Sequence, residues 1–372
     1  MKQNNTADII IIGGGIIGCS IAYNLANQGA KNVVVLEKGE LCSGGTAKSC
    51  AITRSHYSIE ANVHHAVESV KIFENFDDMV GGDPRFTCTG QLVLGQEKHR
   101  PVMESVFCTQ NKYGSETQTL TPAEAAKLHP LLQFEDVDVI GFESRSGYCD
   151  PYLTTIAYAK RAKDLGVKFY TGTPVTGIRI NGVNKTIETR RSDFECPTLI
   201  LAAGPWTHNL GKMLGIKFPY EICKHKVLTL KIDIPYEKDW PIVKDLLTPE
   251  KIYFRPDAGG VVLVGTGDQG VPVNNVEEIT NDVEMEHIER IGKLMANRMP
   301  AFAEAELVRS WTGPYDIPPD WNPIIGPVPK LEGVLVAVGF SGHGFKLAPT
   351  IGESLAQQIP VSYTHLTLPT KA

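Results

Sequence analysis

Asp8 is followed by four isoleucines, Ile9 to Ile12, an unbroken apolar run of strand length. A half-wet strand would alternate; a continuous run suits a strand buried on both faces of a parallel sheet. Gly13-Gly-Gly15-Ile-Ile-Gly18 ends it, and Cys19 to Asn27 reads as a helix stopped by Gly29. A second buried run, Asn32-Val-Val-Val-Leu36, closes at Glu37. Strand, glycine turn, helix and strand make one βαβ unit.

The same pattern returns twice. Thr198-Leu-Ile-Leu-Ala-Ala203 is a buried run closed by Gly204-Pro-Trp206, and Leu335-Val-Ala-Val338 precedes Gly339 to Lys346 and a helix to about Gln358. Between these runs the pattern differs. A helix is expected over 59–79 and a strand over 86–94. Thr121-Pro-Ala-Glu124 carries a capping signature, and Asp150-Pro151 opens a helix to about Leu165. Gly166–Tyr170 and Val175–Ile178 are strand-like. From 223 to 265 the pattern becomes antiparallel, with turns at Pro235, Pro256 and Gly259-Gly260, and a helix follows over 282–298. The predicted fold class is α/β: a Rossmann-like nucleotide domain on a parallel sheet, interleaved with an α+β substrate domain on an antiparallel sheet. The first takes 1–83, 146–215 and 323–360; the second takes 84–145 and 216–322.

Composition narrows this little. The 372 residues are 42% hydrophobic and 21% charged, which excludes collagen-like and broadly disordered chains. The length suits two domains. A net charge of −6 disfavours nucleic acid as a partner. Eight cysteines include no C-x-x-C pair, so neither zinc nor a dithiol is signalled; reduced thiols in the cytoplasm are the expectation. Ala7 to Ala26 is apolar enough to imitate a signal or membrane segment, but three glycines break it and no basic stretch precedes it. No transmembrane segment is expected. The last residues, 361–372, resemble translated cloning read-through and are set apart as a non-native tail.

Gly13-x-Gly15-x-x-Gly18 sits between strand and helix, with Glu37 ending the next strand. The first glycine makes the turn, the second admits a pyrophosphate, and the third lets helix and strand pack closely. Free N–H groups and the positive end of the helix dipole face the phosphates. Glu37 accepts from ribose hydroxyls in such motifs, and Ile17 and Lys38 flank the same site. This motif alone suits NAD as well as FAD.

Three further segments decide between them: Ser43-Gly-Gly-Thr-Ala-Lys-Ser-Cys-Ala-Ile-Thr-Arg54-Ser-His-Tyr57, Leu199 to Trp206, and Pro323-Ile-Ile-Gly326 with Gly339-Phe-Ser-Gly-His-Gly-Phe-Lys346. With the first βαβ unit they resemble the FAD-dependent D-amino-acid-oxidase superfamily over about 8–360, most closely its sarcosine oxidase and sarcosine/dimethylglycine dehydrogenase branch. The resemblance implies FAD on Ser43, Gly45, Thr46, Val175, Ala203 and Gly204, with Lys48 nearby, and a turn at Gly339, Gly342 and Gly344 facing the flavin. It also implies that Arg54 and Lys346 hold a substrate carboxylate, with Tyr315, His343 and Tyr57 lining the site. Read alone, either cation also suits a solvated surface, and Arg54 a phosphate. His56, His64 and His65 read as ordinary helix-side residues.

Departures from the family are informative. Where some members attach flavin through a cysteine this chain has Gly313, and where others use a histidine it has Thr46-Ala47-Lys48, so FAD is expected to be non-covalent. Val261-Val-Leu-Val264, aligned with the strand that carries an oxygen-activating lysine in the oxidases, has none, which favours a dehydrogenase. The implied reaction is hydride loss from a small N-methyl or cyclic amino acid, such as sarcosine, dimethylglycine or proline, and hydrolysis of the imine. Related readings are a D-amino acid, glycine, hydroxy acid or glycerol phosphate as substrate, or a flavin subunit that needs a partner chain. A tRNA-modifying role is disfavoured by charge, and an NAD dehydrogenase leaves 339–346 unexplained. Neither the electron acceptor nor the oligomeric state has a sequence signature.

Overall fold

The computed structural model describes residues 4–234 and 236–359; the expected turn at Pro235 and the tail 361–372 lie outside them. Three separated stretches of chain supply one six-stranded sheet. Its order is Lys168–Tyr170, Val33–Leu36, Ile9–Ile12, Thr198–Leu201, Val334–Val338 and Ile324–Pro327. The first five strands are parallel and the last is antiparallel.

The continuous apolar runs have a direct cause here. Ile9, Ile11, Val33 and Val35 pack under the helices Ile16–Asn27, Glu60–Glu74, Pro151–Asp164 and Gly344–Gln357. Ile10, Ile12, Val34 and Leu36 face the other way, onto Ile178, Ile187 and Phe194 of a small four-stranded sheet. Side chains alternate across a strand, so a sheet covered on both faces needs apolar residues at every position.

A larger, nine-stranded sheet draws on Gln91–Gly95, Thr117–Leu120 and Val139–Glu143, and on six strands between Glu221 and Ile317. The helix Met285–Arg298 covers one face with Ile291 and Met295 against Leu92, Val243, Phe254 and Val262. The other face turns Val227, Ile242, Leu263 and Trp311 toward Cys50 and Ile52 of the first sheet's loop. The space between the two sheets opens beside this contact.

Three local expectations are corrected. The helix expected over 59–79 breaks at Asn75 into Glu60–Glu74 and Phe76–Met79. The strand expected over 86–94 is two, Thr87–Cys88 and Gln91–Gly95, parted at Gly90, whose φ is +73°. The large sheet is not wholly antiparallel, because Ile242–Asp245 runs parallel to Gln91–Gly95. These two strands come from distant stretches, so no hairpin fixes their relative direction. Thr121 and Glu124 do form the reciprocal cap read from sequence.

The tightest helix contact joins Ile16–Asn27 to Gly344–Gln357. Ser20 Oγ donates to the Ala348 carbonyl at 2.8 Å, and a Cβ on Gly352 would fall 2.2 Å from that oxygen. Gly352→Ala should therefore overpack the seam and lower stability by about 1–3 kcal/mol, read as a shifted urea midpoint at unchanged slope.

Candidate functional site

The two sheets enclose a half-open cavity of ≈790 Å³, a size typical of cofactor sites. At one end lies the first glycine turn. Gly13 has φ +119°, and a Cβ there would fall 2.3 Å from the Ala202 carbonyl oxygen. Gly15 ends the turn on the cavity wall, and Ile17 lines the wall from the helix. Gly18 lies behind the wall, where a Cβ would meet the Gly13 carbonyl at 1.9 Å; its work is helix–strand packing.

Glu37 is fixed by backbone at both oxygens. Gly14 N donates to Oε2 and Gly39 N to Oε1, each at 2.7 Å. The carboxylate is thus held at the cavity wall beside the turn. Lys38 is not free: its Nζ lies 2.9 Å from Glu277 Oε1 and 4.3 Å from the centroid of the Trp206 ring. Trp206 Nε1 donates to the same Glu277 oxygen at 2.7 Å, so a residue of the large-sheet region clasps the rim of the cavity beside Lys38.

The Ser43–Arg54 loop crosses the cavity between its two ends. Ile16 N donates to Thr46 Oγ1 at 3.2 Å, so the Thr46 hydroxyl sits on the helix start. Ser43 and Gly45 line the wall beside it, and Ser43 Oγ donates to the Glu40 carbonyl. Lys48 reaches Asn281 Oδ1 at 2.9 Å. A Cβ on Gly313 would stand 3.0 Å from Lys48 Cβ, which puts Gly313 and the Thr46–Lys48 stretch side by side. Val175, Ala203 and Gly204 complete this end.

Two strands along the same sheet from the Gly13 turn, the Gly339–Gly344 turn opens the Gly344–Gln357 helix. Gly342 has φ +73°, and a Cβ would fall 2.1 Å from Tyr315 Cζ, so only glycine lets the tyrosine lie against the turn. Tyr315 also stacks on His225 at 3.7 Å between centroids. Gly339 stands off the cavity; its N–H donates to Asp316 Oδ2 at 2.7 Å. Burial raises the Asp316 carboxyl to about 6. His343 and Gly344 line the cavity, and the His343 ring meets Tyr57 edge-on at 5.3 Å. Burial, then the Lys346 and Arg54 charges, hold the His343 imidazole well below its ordinary value, so it is neutral.

Arg54 and Lys346 both line the cavity. Lys346 is 7% exposed, and burial, then Arg54, hold its ammonium well below the usual lysine range. Arg54 Nη1 donates to the His56 carbonyl, and its guanidinium lies 4.7 Å from the Tyr57 ring centroid. The turn from Arg54 to Tyr57 is braced from below by Glu143. This carboxylate, 1% exposed, accepts from Ser55 N at 3.0 Å, Ser55 Oγ at 3.2 Å and Ser146 Oγ at 2.9 Å. His56 Nδ1 stands 3.4 Å from Glu143 Oε1, and neither atom has a formed hydrogen bond. His56 is therefore not a helix-side residue; it precedes the helix that carries His64 and His65.

Sequence reading missed Glu143, Lys244 and Gln91. Val261–Val264 carries no lysine, and its Leu263 packs toward Cys50 and Ile52. Two strands away on the same sheet, however, Lys244 lines the cavity with Gln91. A polar residue inside an apolar run, as in Gln91-Leu-Val-Leu94 and Ile242-Val-Lys244, was the available signal. Among the described residues no helix is long and apolar enough to cross a membrane, and no cluster suits a metal ion.

A family model described as "DAO: FAD dependent oxidoreductase" matches residues 8–358. Among curated proteins, the chain is 28% identical to a mouse mitochondrial pyruvate dehydrogenase phosphatase regulatory subunit, covering 96% of this chain and 42% of that protein. It is also 28% identical to human mitochondrial dimethylglycine dehydrogenase, covering 96% of this chain and 43% of the relative. The chain thus spans about two fifths of these relatives, and both names place them in mitochondria, unlike the cytoplasm expected from the cysteines. Among solved structures, L-proline dehydrogenase from P. horikoshii superposes with a TM-score of 0.87 at 29% identity, covering 95% of this chain and 93% of that one.

The brace gives a pH prediction. Burial raises the Glu143 carboxyl, but His56, then Ser55 N–H and Arg54, outweigh it and bring it down from 4.5 to about 2. A depressed folded pKa stabilises above 4.5, and that stability is lost as pH falls toward about 2. Glu143→Gln should be less stable at neutral pH, by about 1.5–3 kcal/mol for weakened hydrogen bonds to a buried charged acceptor, and should lose less stability on acidification, measured by urea unfolding across that range.

Proposed function

The chain belongs to the DAO family of FAD-dependent oxidoreductases, and we propose that it oxidises the C–N bond of a small amino acid with a secondary or tertiary amine. The observation that carries this reading is that Arg54 and Lys346 line the same cavity as the first glycine turn. Relatives named for dimethylglycine and proline support the substrate class.

The residues present fit FAD. The fixed Glu37 carboxylate, the helix start at Ile16 and the glycine approaches at Gly13 and Gly15 suit its dinucleotide end, and the Gly342–Gly344 helix start suits the flavin. FAD, when bound, supplies the acceptor for a hydride equivalent. Gly313 and the Thr46–Lys48 stretch offer neither cysteine nor histidine, so attachment is non-covalent.

The protein's own groups bind and polarise. Arg54, steadied by the His56 carbonyl, presents its remaining N–H donors to a substrate carboxylate, and Lys346 adds an Nζ donor at the first helical turn. The Arg54 charge beside a neutral His343 disfavours a protonated substrate amine, so the amine enters the reaction uncharged. Its lone pair forms the C=N bond as hydrogen leaves carbon with two electrons. Water then adds to the imine and splits it into an amine and a carbonyl compound. The absence of lysine from Val261–Val264 favours an acceptor other than oxygen.

The mouse regulatory-subunit relative favours one second reading, a flavin chain that acts only within an assembly. An anaerobic screen separates the two. Reduction of the bound FAD by sarcosine, dimethylglycine or proline supports an enzyme; no bleaching by any amine, with partners co-purifying, supports the subunit. Acid precipitation should leave the yellow colour in the supernatant. Arg54→Ala should raise KM for the carboxylate substrate by about ten- to several-hundredfold, and an unchanged KM would overturn its assignment.

A further inference from the structure

Val243 packs with the helix on the far side of the large sheet, so Ile242 and Lys244 turn to the cavity side. On the adjoining strand Leu92 and Leu94 also face the helix, leaving Gln91 to the cavity. The register sets Ile242 opposite Gln91, with Lys244 two residues further along. Gln91 is 1% exposed, yet its Nε2 has no hydrogen-bond partner. A buried donor in this state carries a desolvation cost that a ligand would relieve.

Lys244 is similarly incomplete. Its Nζ donates to the Lys251 carbonyl at 2.6 Å, and its approach depends on Gly267, where a Cβ would fall 2.1 Å from the nitrogen. Its neighbouring carboxylates do not neutralise it. Asp245 is engaged by Arg298 at 2.9 Å, and Asp268 is exposed at the cavity mouth opposite the exposed Lys251. Burial, then Arg54 and Lys251, bring the Lys244 amine down to about 7 against the opposing pull of Asp268 and Asp245. A single substrate carboxylate on Arg54 and Lys346 leaves Lys244 and Gln91 unmatched.

We propose that Lys244 Nζ and Gln91 Nε2 form a second anion subsite, and that the substrate is an amino dicarboxylate. One carboxylate rests on Arg54 and Lys346, and the other, on the amine substituent or the side chain, rests on Lys244 and Gln91. The proposal rests on the amine-oxidoreductase reading above and narrows its substrate class. A carboxylate arriving beside Lys244 favours its charged form, so binding above pH 7 takes up a proton.

Two thioethers test this without turnover, because sulfur replaces the amine. Methylthioacetate has one carboxylate and thiodiacetate two. Titrated into the FAD-loaded protein at pH 8 and followed by flavin absorbance, thiodiacetate should bind about ten- to a hundredfold more tightly. Calorimetry in buffers of different ionisation enthalpy should show proton uptake with thiodiacetate. Lys244→Met and Gln91→Leu should each shrink the preference, and Lys244→Arg should restore part of it. Equal affinities in the wild type, or a preference surviving both variants, would overturn the subsite. The two readings fail separately. A thiodiacetate preference with no reduction of FAD by iminodiacetate or any N-methyl amino acid keeps the subsite and removes the oxidoreductase. Reduction by sarcosine with no thiodiacetate preference does the reverse.

Discussion

Three basic side chains, Arg54, Lys244 and Lys346, line one cavity, and no carboxylate forms a salt bridge with any of them among the described residues. Placing like charges together in a poorly solvated space opposes folding. The surrounding structure has to hold them without neutralising them, because a resident carboxylate would occupy the place of the ligand. The buried carboxylate of Glu143 instead meets the backbone and hydroxyl of Ser55 and the ring of His56, beneath the arginine turn. It fixes where Arg54 stands and leaves its remaining N–H groups to the cavity.

The cavity itself is a consequence of two sheets packed by different rules. The parallel sheet is covered on both faces and supplies rigid strand ends from which the Gly13 and Gly339 turns project. The large sheet is covered by a helix on one face; its other face packs on the Cys50–Ile52 loop through Val227 and Leu263, and at its Ile222 end it joins the apolar residues beside the first sheet. Beyond these contacts, alternate side chains of its strands point into open space. Glycines then set how closely the parts approach, as where Tyr315 lies against Gly342. The Lys38–Glu277–Trp206 clasp ties the large-sheet region to the rim of the cavity.

Much of this was legible in the chain. The Ile9–Glu37 unit, the Gly339–Lys346 turn and the cap at Thr121 depend on contacts within a few residues, and local periodicity reports such contacts faithfully. Arg54, Lys346, Tyr315 and His343, expected together only through a family resemblance, line one cavity although nearly three hundred residues separate the first from the last. The break at Asn75 and the parallel pairing of Ile242–Asp245 were not legible, because packing against other elements, not propensity, decides them.

The sequence by itself determined which stretches are doubly buried strands and where a glycine turn opens a helix. Tertiary structure alone decided which polar residues of the large sheet face the cavity. Lys244 and Gln91 lie on short strands far apart in the chain, and a one-residue change of register would turn either to the opposite face. Their pairing partners come from distant segments, so no local pattern fixes that register. It is set by the burial of Val243, Leu92 and Leu94 beneath a helix that the chain reaches only at Met285.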